Sequence, residues 1–256
     1  MVHFVGAGSG AADLITVRGQ RLLSEADVVI YAGSVINKDL LNYCRKNVTL
    51  YDSAEMTLEE IIGVIKEADR KGLQTVRLHS GDPSIYGAIQ EQIEELCKLD
   101  IDFDITPGVT AAMAAAASLG MEFTLPEVAQ SFVITRIAGR TDVPEAQSIE
   151  HFVSSNASVA VYLSSKLTET LTKRLTEHGL SPDTPVAVVY KASWPEEKRI
   201  LCDLKSLTSI MEENNITGLA VILLGPAVGR LSGDKKTVRS RLYDPGFTTG
   251  YRKGEE

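Results

Sequence analysis

Short apolar runs alternate with amphipathic stretches along the first half of the chain. The runs are rich in β-branched residues and predict strands, and the apolar positions at helical spacing between them predict crossover helices. The clearest helix covers residues 57–72, because Thr57 and Glu60 form a capping box at its start and Gly72 marks its end. Alternation of this kind is typical of a parallel sheet with helical connections. The predicted strands are HFVGAG, ADVVIYAG, NVTLYD, QTVRLHS and IDFDITPG.

The second half of the chain alternates in the same way after Gly120 and Pro126 interrupt the helical pattern. We therefore predict two α/β domains, residues 1–122 with a parallel sheet and residues 123–256 with a mixed sheet and a polar tail. An antiparallel hairpin is expected where PVAVVYKAS and RILCDL are joined by a short polar stretch. The other predicted strands are SFVITRI, SVAVYLSS and GLAVILLG, and the predicted helices cover about 144–155, 167–178 and 204–214.

Composition narrows the function classes only a little. The chain of 256 residues has 26 Lys and Arg against 34 Asp and Glu, a formal net charge of -8, which argues against general nucleic-acid binding. Three widely spaced cysteines without a CxxC pair favour reduced thiols over a disulfide framework or a zinc site. The amino terminus has no signal-peptide pattern, and no apolar run approaches the length of a membrane span. We expect a cytoplasmic protein.

The stretch HSGDPSIYG lies between a predicted strand and a predicted helix that begins at Ser84. Asp82 followed by Pro83 fits a helix N-cap with proline in the first turn. Gly81 favours a ligand as well, because it removes a side chain at the carboxyl end of a parallel strand, where open α/β sheets bind their ligands. The turn TPGVTA, residues 106–111, repeats this arrangement after the next strand. We expect the two turns to lie side by side, with a ligand across their N–H groups.

Other motifs mainly exclude activities. The first loop, GAGSG, lacks the GxGxxG spacing of a dinucleotide site, and Ala32 stands where a ribose-binding acid would be expected. No nucleophile elbow, Walker lysine or HExxH motif is present, so the sequence offers no motif for hydrolysis by a nucleophile or a metal. No metal site is predicted. For none of the four histidines does the sequence indicate a partner for catalysis or metal binding; they are His3, His79, His151 and His178.

Several segments in this order resemble the tetrapyrrole methyltransferases that use S-adenosylmethionine, over nearly the whole chain. They are VGAGSGAADLITVRGQRLLSEADVVIYAGS, LHSGDPSIYGAIQEQ, TPGVTAAMAAAASLG, VYLSS, TPVAVVYKASWPEEK and LAVILLGPAV. Within the family, the segments YAGS, DSAEMTLEEI, LPEVAQSFVITRIAGRTDVPE and SRLYDPGF most resemble the branch that methylates cobalt-precorrin-4 at ring carbon 11 in cobalamin biosynthesis. The resemblance implies two α/β domains with an active cleft between them, and a homodimer.

The resemblance also implies which residues bind the cofactor S-adenosylmethionine. Asp82 would both start its helix and lie beside the methionine part of the cofactor. The implied set is Ser80, Gly81, Asp82, Ile85, Tyr86, Thr110 and Ala111 in the first domain, with Leu163, Ala192, Leu224 and Gly225 in the second.

Two departures from the family pattern concern the ring substrate. The family commonly has GxGPGD in the first loop, which faces the tetrapyrrole, whereas this chain has Ser9 in place of the proline and an extra residue, in the run Ala11–Ala12, before Asp13. The uroporphyrinogen branch has an aspartate where this chain has Ala32, so the resemblance disfavours that activity. Trp194, in the predicted hairpin turn, is consistent with either packing or ligand contact.

A precorrin carries many carboxylates, so its site should offer cations. Arg18, Arg136 and Arg140 are the candidates for binding this anionic tetrapyrrole. No catalytic base is identified, because a sulfonium methyl group is already activated for displacement. Two alternatives stay open: another precorrin methyltransferase with a different regiospecificity, or a homologue that binds S-adenosylmethionine without turnover.

Overall fold

The computed structural model describes residues 1–231 and 240–254, and its backbone divides into two compact units. Unit 1 contains Met1–Ala115 and Lys191–Glu197, and unit 2 contains Ala116–Tyr190 and Lys198–Glu256. The predicted α/β class, with one parallel and one mixed sheet, is confirmed. The backbone divides inside the Ala-rich helix, so the domain boundary after residue 122 stays a prediction. Residues 232–239 and 255–256 of the predicted polar tail lie outside the described residues.

Within the described part of the chain, unit 1 has a five-stranded sheet in the order β3-β2-β4-β1-β5, and all neighbouring pairs are parallel. Strands β1 and β4 are buried along their whole length, as expected for inner strands covered on both faces. Because the strands are parallel, their carboxyl ends meet at one edge. The strands are β1 (Val2–Gly6), β2 (Val28–Tyr31), β3 (Thr49–Asp52), β4 (Thr75–His79) and β5 (Phe103–Thr106).

Helices cover the two faces of this sheet. Helix α1 (Val17–Glu25) packs on the face that carries Val5, and helices α2 (Leu58–Arg70) and α3 (Ile89–Lys98) pack on the face that carries Phe4. The predicted start of α2 is confirmed, since its capping box is formed with both hydrogen bonds. Helix α3 begins five residues later than predicted.

Unit 2 has, over the described residues, a five-stranded sheet in the order β6-β7-β10-β8-β9. Strands β6 and β7 are parallel and the other neighbours are antiparallel, and the predicted hairpin of β8 and β9 is confirmed. The helix predicted near 144–155 is shorter, because a single 3-10 turn precedes Ser148 and the α-helix begins after it. The strands are β6 (Phe132–Thr135), β7 (Ser158–Val161), β8 (Pro185–Tyr190), β9 (Lys198–Asp203) and β10 (Ala220–Leu224). The remaining helices are α4 (Ala111–Leu119), α5 (Ile149–Ser154), α6 (Thr168–Glu177) and α7 (Leu207–Glu213).

Two further observations concern the whole described chain. Over residues 1–231 and 240–254, every helix falls short of the length and apolarity that a bilayer crossing needs. All three cysteines, Cys44, Cys97 and Cys202, carry free thiols.

Candidate ligand site at the strand ends

Asp82 closes a tight turn after β4 and does not begin a helix. Its Oδ1 accepts hydrogen bonds from the Ser84 N–H at 2.9 Å and from the Ser84 hydroxyl at 2.5 Å. Tyr86 and Ala88 then adopt positive φ angles of 55° and 49°, and α3 starts only at Ile89. The predicted N-cap role of Asp82 and the predicted helix start at Ser84 are therefore wrong. Local side-chain hydrogen bonds of Asp offer the backbone an alternative to the helix, and here they prevail.

The turn after β4 meets the turn after β5 through the same carboxylate. Asp82 Oδ2 accepts a hydrogen bond from the Gly108 N–H at 2.9 Å. Strands β4 and β5 are not neighbours in the sheet, because β1 lies between them. The turns still touch because Gly6 ends β1 without a side chain. A Cβ on Gly6 would lie 2.6 Å from the Gly108 Cα and 2.7 Å from the Gly81 carbonyl oxygen.

The first loop joins the same cluster of turns. Gly8 and Gly81 exchange two backbone hydrogen bonds, with N···O distances of 2.8 and 3.2 Å. Both residues have positive φ angles, 79° and 63°, which are left-handed conformations that glycine adopts without steric cost. Three loops from the carboxyl ends of β1, β4 and β5 thus converge, and hydrogen bonds of the backbone and of the Asp82 carboxylate join them.

The Asp82 carboxylate is ionised at neutral pH. Partial burial acts to raise its pKa, but hydrogen bonds from the Ser84 hydroxyl and from the N–H groups of Gly108 and Ser84 outweigh it, and the pKa lies below its usual value. A fixed negative charge at the junction of the turns favours a ligand that carries positive charge.

Most of the predicted cofactor residues fall in these turns. A Cβ on Gly81 would lie 3.5 Å from the Thr110 Cα, and Thr110 immediately precedes α4. Tyr86 is 46% exposed. The structure therefore brings together in unit 1 the predicted residues Ser80, Gly81, Asp82, Ile85, Tyr86, Thr110 and Ala111. Ala192 is buried and also belongs to unit 1.

Unit 2 holds the other predicted cofactor residues and does not bring them together. Leu163 follows β7, is 70% exposed and has a φ of 54°. Leu224 is buried at the end of β10, and Gly225 follows it. Because β7 and β10 are antiparallel, with Leu224 paired to Val159, Leu163 and Gly225 lie at opposite ends of the sheet.

The three predicted substrate arginines have different surroundings. Exposed Arg18 lines a groove of about 560 Å³ with His3, Gln74 and Asp104, near the amino ends of the strands rather than at the turns. In unit 2, Arg136 donates hydrogen bonds to the carbonyl oxygens of Thr141 and Asp142 at 3.0 and 2.6 Å, so it orders its own loop. Arg140 in that loop is exposed.

A buried polar group beneath the Asp82 turn was missed by the sequence reasoning. Arg77 in β4 donates to Gln92 Oε1 at 3.2 Å, and Gln92 Nε2 donates to the Ala88 carbonyl at 3.0 Å. Burial lowers the pKa of Arg77 to about 10, and burial together with the Arg77 charge lowers that of His79 to about 3. His79 Nε2 has no hydrogen-bond partner among the described residues. Two ionisable residues, Arg77 and His79, inside the predicted strand QTVRLHS were the available signal.

The model of the Tetrapyrrole (Corrin/Porphyrin) Methylases matches residues 1–208. The chain belongs to this family. The prediction made from the sequence is thus confirmed.

Individual tetrapyrrole methylases are similar over almost the whole chain. A cobalt-precorrin-4 C(11)-methyltransferase of Methanocaldococcus jannaschii is 46% identical over 255 residues, which is 100% of this chain and 97% of the relative. A solved structure of a cobalt precorrin-4 methyltransferase has a TM-score of 0.86 at 42% identity, over 89% of this chain and 95% of the other. A uroporphyrin-III C-methyltransferase from Thermus thermophilus, solved with S-adenosylhomocysteine, has a TM-score of 0.74 at 26% identity, over 93% and 97% of the two chains.

Some predictions about this tetrapyrrole methylase stay predictions. They are the homodimer, the cytoplasmic location, the absence of nucleic-acid and membrane partners, and the roles of the individual site residues. Among the described residues, no group of three or more His, Cys, Asp or Glu side chains could hold a metal ion.

Proposed function

We propose that this tetrapyrrole methylase transfers a methyl group from S-adenosylmethionine to ring carbon 11 of cobalt-precorrin-4, in the synthesis of cobalamin. The regiospecificity is supported by the full-length similarity to a cobalt-precorrin-4 C(11)-methyltransferase. The cofactor is supported by the family and by a relative solved with S-adenosylhomocysteine. The observation that carries the proposal is the junction of glycine turns held by Asp82 at the strand ends.

The cofactor would contact the two turns after β4 and β5 in unit 1. Small residues such as Gly81 and Ala111 would let a ligand approach the backbone closely, and Asp82 supplies a fixed negative charge. S-adenosylmethionine carries a positive sulfonium and an ammonium group, so these charges fit a site with an ionised carboxylate. The bound cofactor supplies a sulfonium methyl group that needs no further activation.

The protein's own task is then to position two reactants. Orientation alone is worth about 7–11 kcal/mol of barrier when the reacting atoms are held about 3–3.5 Å apart. Rigid turns serve this purpose, and the hydrogen bonds among Gly8, Gly81, Asp82 and Gly108 make these turns rigid. Neither a covalent intermediate nor a catalytic triad is required.

The tetrapyrrole carboxylates would meet cations, for which Arg136 and Arg140 in unit 2 are the candidates. Arg18 lies near the amino ends of the strands, away from the turns that would hold the cofactor, so it is not retained as a substrate residue. Arg136→Ala should disturb the loop at Thr141 as well as any substrate contact, so Arg140→Ala is the cleaner variant. We expect Arg140→Ala to weaken cobalt-precorrin-4 binding while leaving S-adenosylhomocysteine binding unchanged. Unchanged precorrin affinity would remove Arg140 from the proposed site.

The deciding experiment incubates the purified chain with methyl-labelled S-adenosylmethionine and cobalt-precorrin-4, and locates the label by NMR of the product. Label at carbon 11 supports the proposal. Label at another ring carbon would instead identify a precorrin methyltransferase of different regiospecificity. Calorimetric binding of S-adenosylhomocysteine without any labelled product would identify a non-catalytic binder.

A further inference from the structure

Trp194, the only tryptophan of the chain, holds the first loop in place. Its Nε1 donates a hydrogen bond to the Ser9 carbonyl oxygen at 2.9 Å. Its indole ring lies against Gly10, where a Cβ would come within 2.1 Å of the ring Cδ1. The first loop, defined here as Gly8–Ala12, is thus shaped to receive this side chain. The hairpin tip, defined as Lys191–Glu197, connects β8 to β9 and belongs to unit 1.

Ser193 adds a second set of contacts between the hairpin tip and the first loop. Its hydroxyl oxygen accepts a hydrogen bond from the Ala11 N–H at 3.0 Å and lies 2.9 Å from the Ser9 hydroxyl oxygen. Ser9 stands where the family commonly has proline. The loop therefore gains a side-chain hydrogen bond at the position where it lacks the rigid ring of proline.

The hairpin tip is held in an unfavourable backbone conformation. Lys191 and Ser193 have φ angles of 47° and 68°, which cost free energy in residues other than glycine. The surroundings compensate, because the Ser193 N–H donates to the Glu197 carboxylate at 2.7 Å and the Lys191 ammonium lies 5.2 Å from the centre of the Trp194 ring. Strain that is retained in this way concentrates at functional sites.

The contacts continue from the hairpin tip to the glycine turn. Ser9 follows Gly8, and Gly8 shares two backbone hydrogen bonds with Gly81. We propose that Ser193 and Trp194 are positioning residues, which fix the first loop and through it the Gly81 turn in the geometry that receives the cofactor. This inference rests on the proposed cofactor site.

The test uses S-adenosylhomocysteine as the probe and calorimetry as the measurement. Ser193→Ala removes the hydroxyl and keeps the fold of the tip, and Trp194→Phe removes the Nε1 donor while keeping a ring against Gly10. We expect each to weaken S-adenosylhomocysteine binding about tenfold, the loss that corresponds to one hydrogen bond of about 1.4 kcal/mol. Ser24→Ala is the matched control, since the exposed Ser24 hydroxyl donates only to a carbonyl of its own helix.

Three further measurements separate positioning from general stability. Ser9→Ala and Ser193→Ala combined should cost less than the sum of the single losses, because both remove the same contact. In the wild type, saturating S-adenosylhomocysteine should shift or quench the emission of Trp194, which is the sole tryptophan. Thermal unfolding should be within a few degrees of the wild type for the single serine variants.

The outcomes are distinct. If the wild type binds S-adenosylhomocysteine and both Ser193→Ala and Trp194→Phe bind it with the same affinity, the positioning role is overturned. The proposed function is then unaffected. Loss of affinity that only parallels a loss of thermal stability would overturn the positioning role as well. If the wild type binds neither S-adenosylmethionine nor S-adenosylhomocysteine, the proposed function fails and the positioning role fails with it.

Discussion

The Asp82 carboxylate accepts a hydrogen bond from the Gly108 N–H at 2.9 Å, although β1 lies between β4 and β5, the strands that lead to these two residues. The hydrogen bond passes over Gly6 at the end of β1. It therefore joins two turns whose strands are not hydrogen-bonded to each other in the sheet. The candidate ligand site therefore depends on one carboxylate and on one missing side chain.

Replacing Asp82 by Asn should weaken S-adenosylhomocysteine binding at least tenfold. An amide can present its oxygen to Ser84 or to Gly108, but its NH₂ group then opposes the other N–H, which costs about 1–3 kcal/mol. Calorimetry with the ligand and urea unfolding measure the two effects. Asp39→Asn, at an exposed position, is the control. Equal affinity of Asp82→Asn and the wild type would contradict the bridging role.

The contribution of Asp82 to stability should depend on pH in the acid range. Its pKa is lower in the folded protein than in the unfolded chain, where it is about 3.9. The stabilisation is therefore complete above the unfolded pKa and is lost as the pH falls through the folded pKa. Urea unfolding between pH 6 and 3 should show the wild type losing its advantage over Asp82→Asn. A constant difference over this range would argue against an ionised Asp82.

Two Gly→Ala substitutions should have opposite effects. Gly6→Ala places a Cβ 2.6 Å from the backbone of Gly108, so it should separate the turns and destabilise the protein by about 1–3 kcal/mol, with loss of S-adenosylhomocysteine binding. Gly63→Ala in α2 meets no atom within 4 Å and should stabilise by about 0.5–1 kcal/mol. Urea unfolding of both variants checks the signs. A Gly6→Ala protein that binds normally would show that the turns need not touch.

Because of His79, the free energy of unfolding should decrease as the pH is lowered from 6.5 to 4. Burial and the Arg77 charge lower its pKa to about 3, whereas the unfolded chain takes up the proton near pH 6.5. Between these values the unfolded state binds more protons, so the free energy of unfolding decreases as pH decreases, by at most about 1.4 kcal/mol per pH unit. His79→Leu should remove this part of the slope. His151→Gln, at an exposed position, should keep it, and identical slopes for His79→Leu and the wild type would refute the assignment.

Gln92→Glu should separate stability from ligand binding. The new carboxylate still accepts from Arg77 and pairs with its buried charge, but it cannot donate to the Ala88 carbonyl. We expect unfolding free energy within about 1 kcal/mol of the wild type, because the ion pair offsets the lost hydrogen bond. S-adenosylhomocysteine affinity should fall about fivefold, since the segment ending at Ala88 loses its support. Gln90→Glu, on the exposed face of α3, is the control, and equal affinity of the two variants would contradict the support role.

The sequence by itself determined what short-range rules decide. The capping box at Thr57 and Glu60, the apolar runs of the strands and the Gly-containing turns each depend on residues a few positions apart, so their elements follow from local propensity and periodicity. The family was also determined, because its motifs are contiguous segments. Even locally, the start of α3 was mistaken, since the side-chain hydrogen bonds of Asp82 prevailed over the helical pattern.

Only the tertiary structure decided which of these segments meet. The position of β1 between β4 and β5, the contact of Asp82 with Gly108, and the contact of Trp194 with Ser9 join residues 26 to 185 positions apart. Such contacts arise from strand order and from the packing of many side chains at once, which no local pattern encodes. For the same reason the buried Arg77 and Gln92 were recognisable as partners only after the sheet and α3 had been placed against each other.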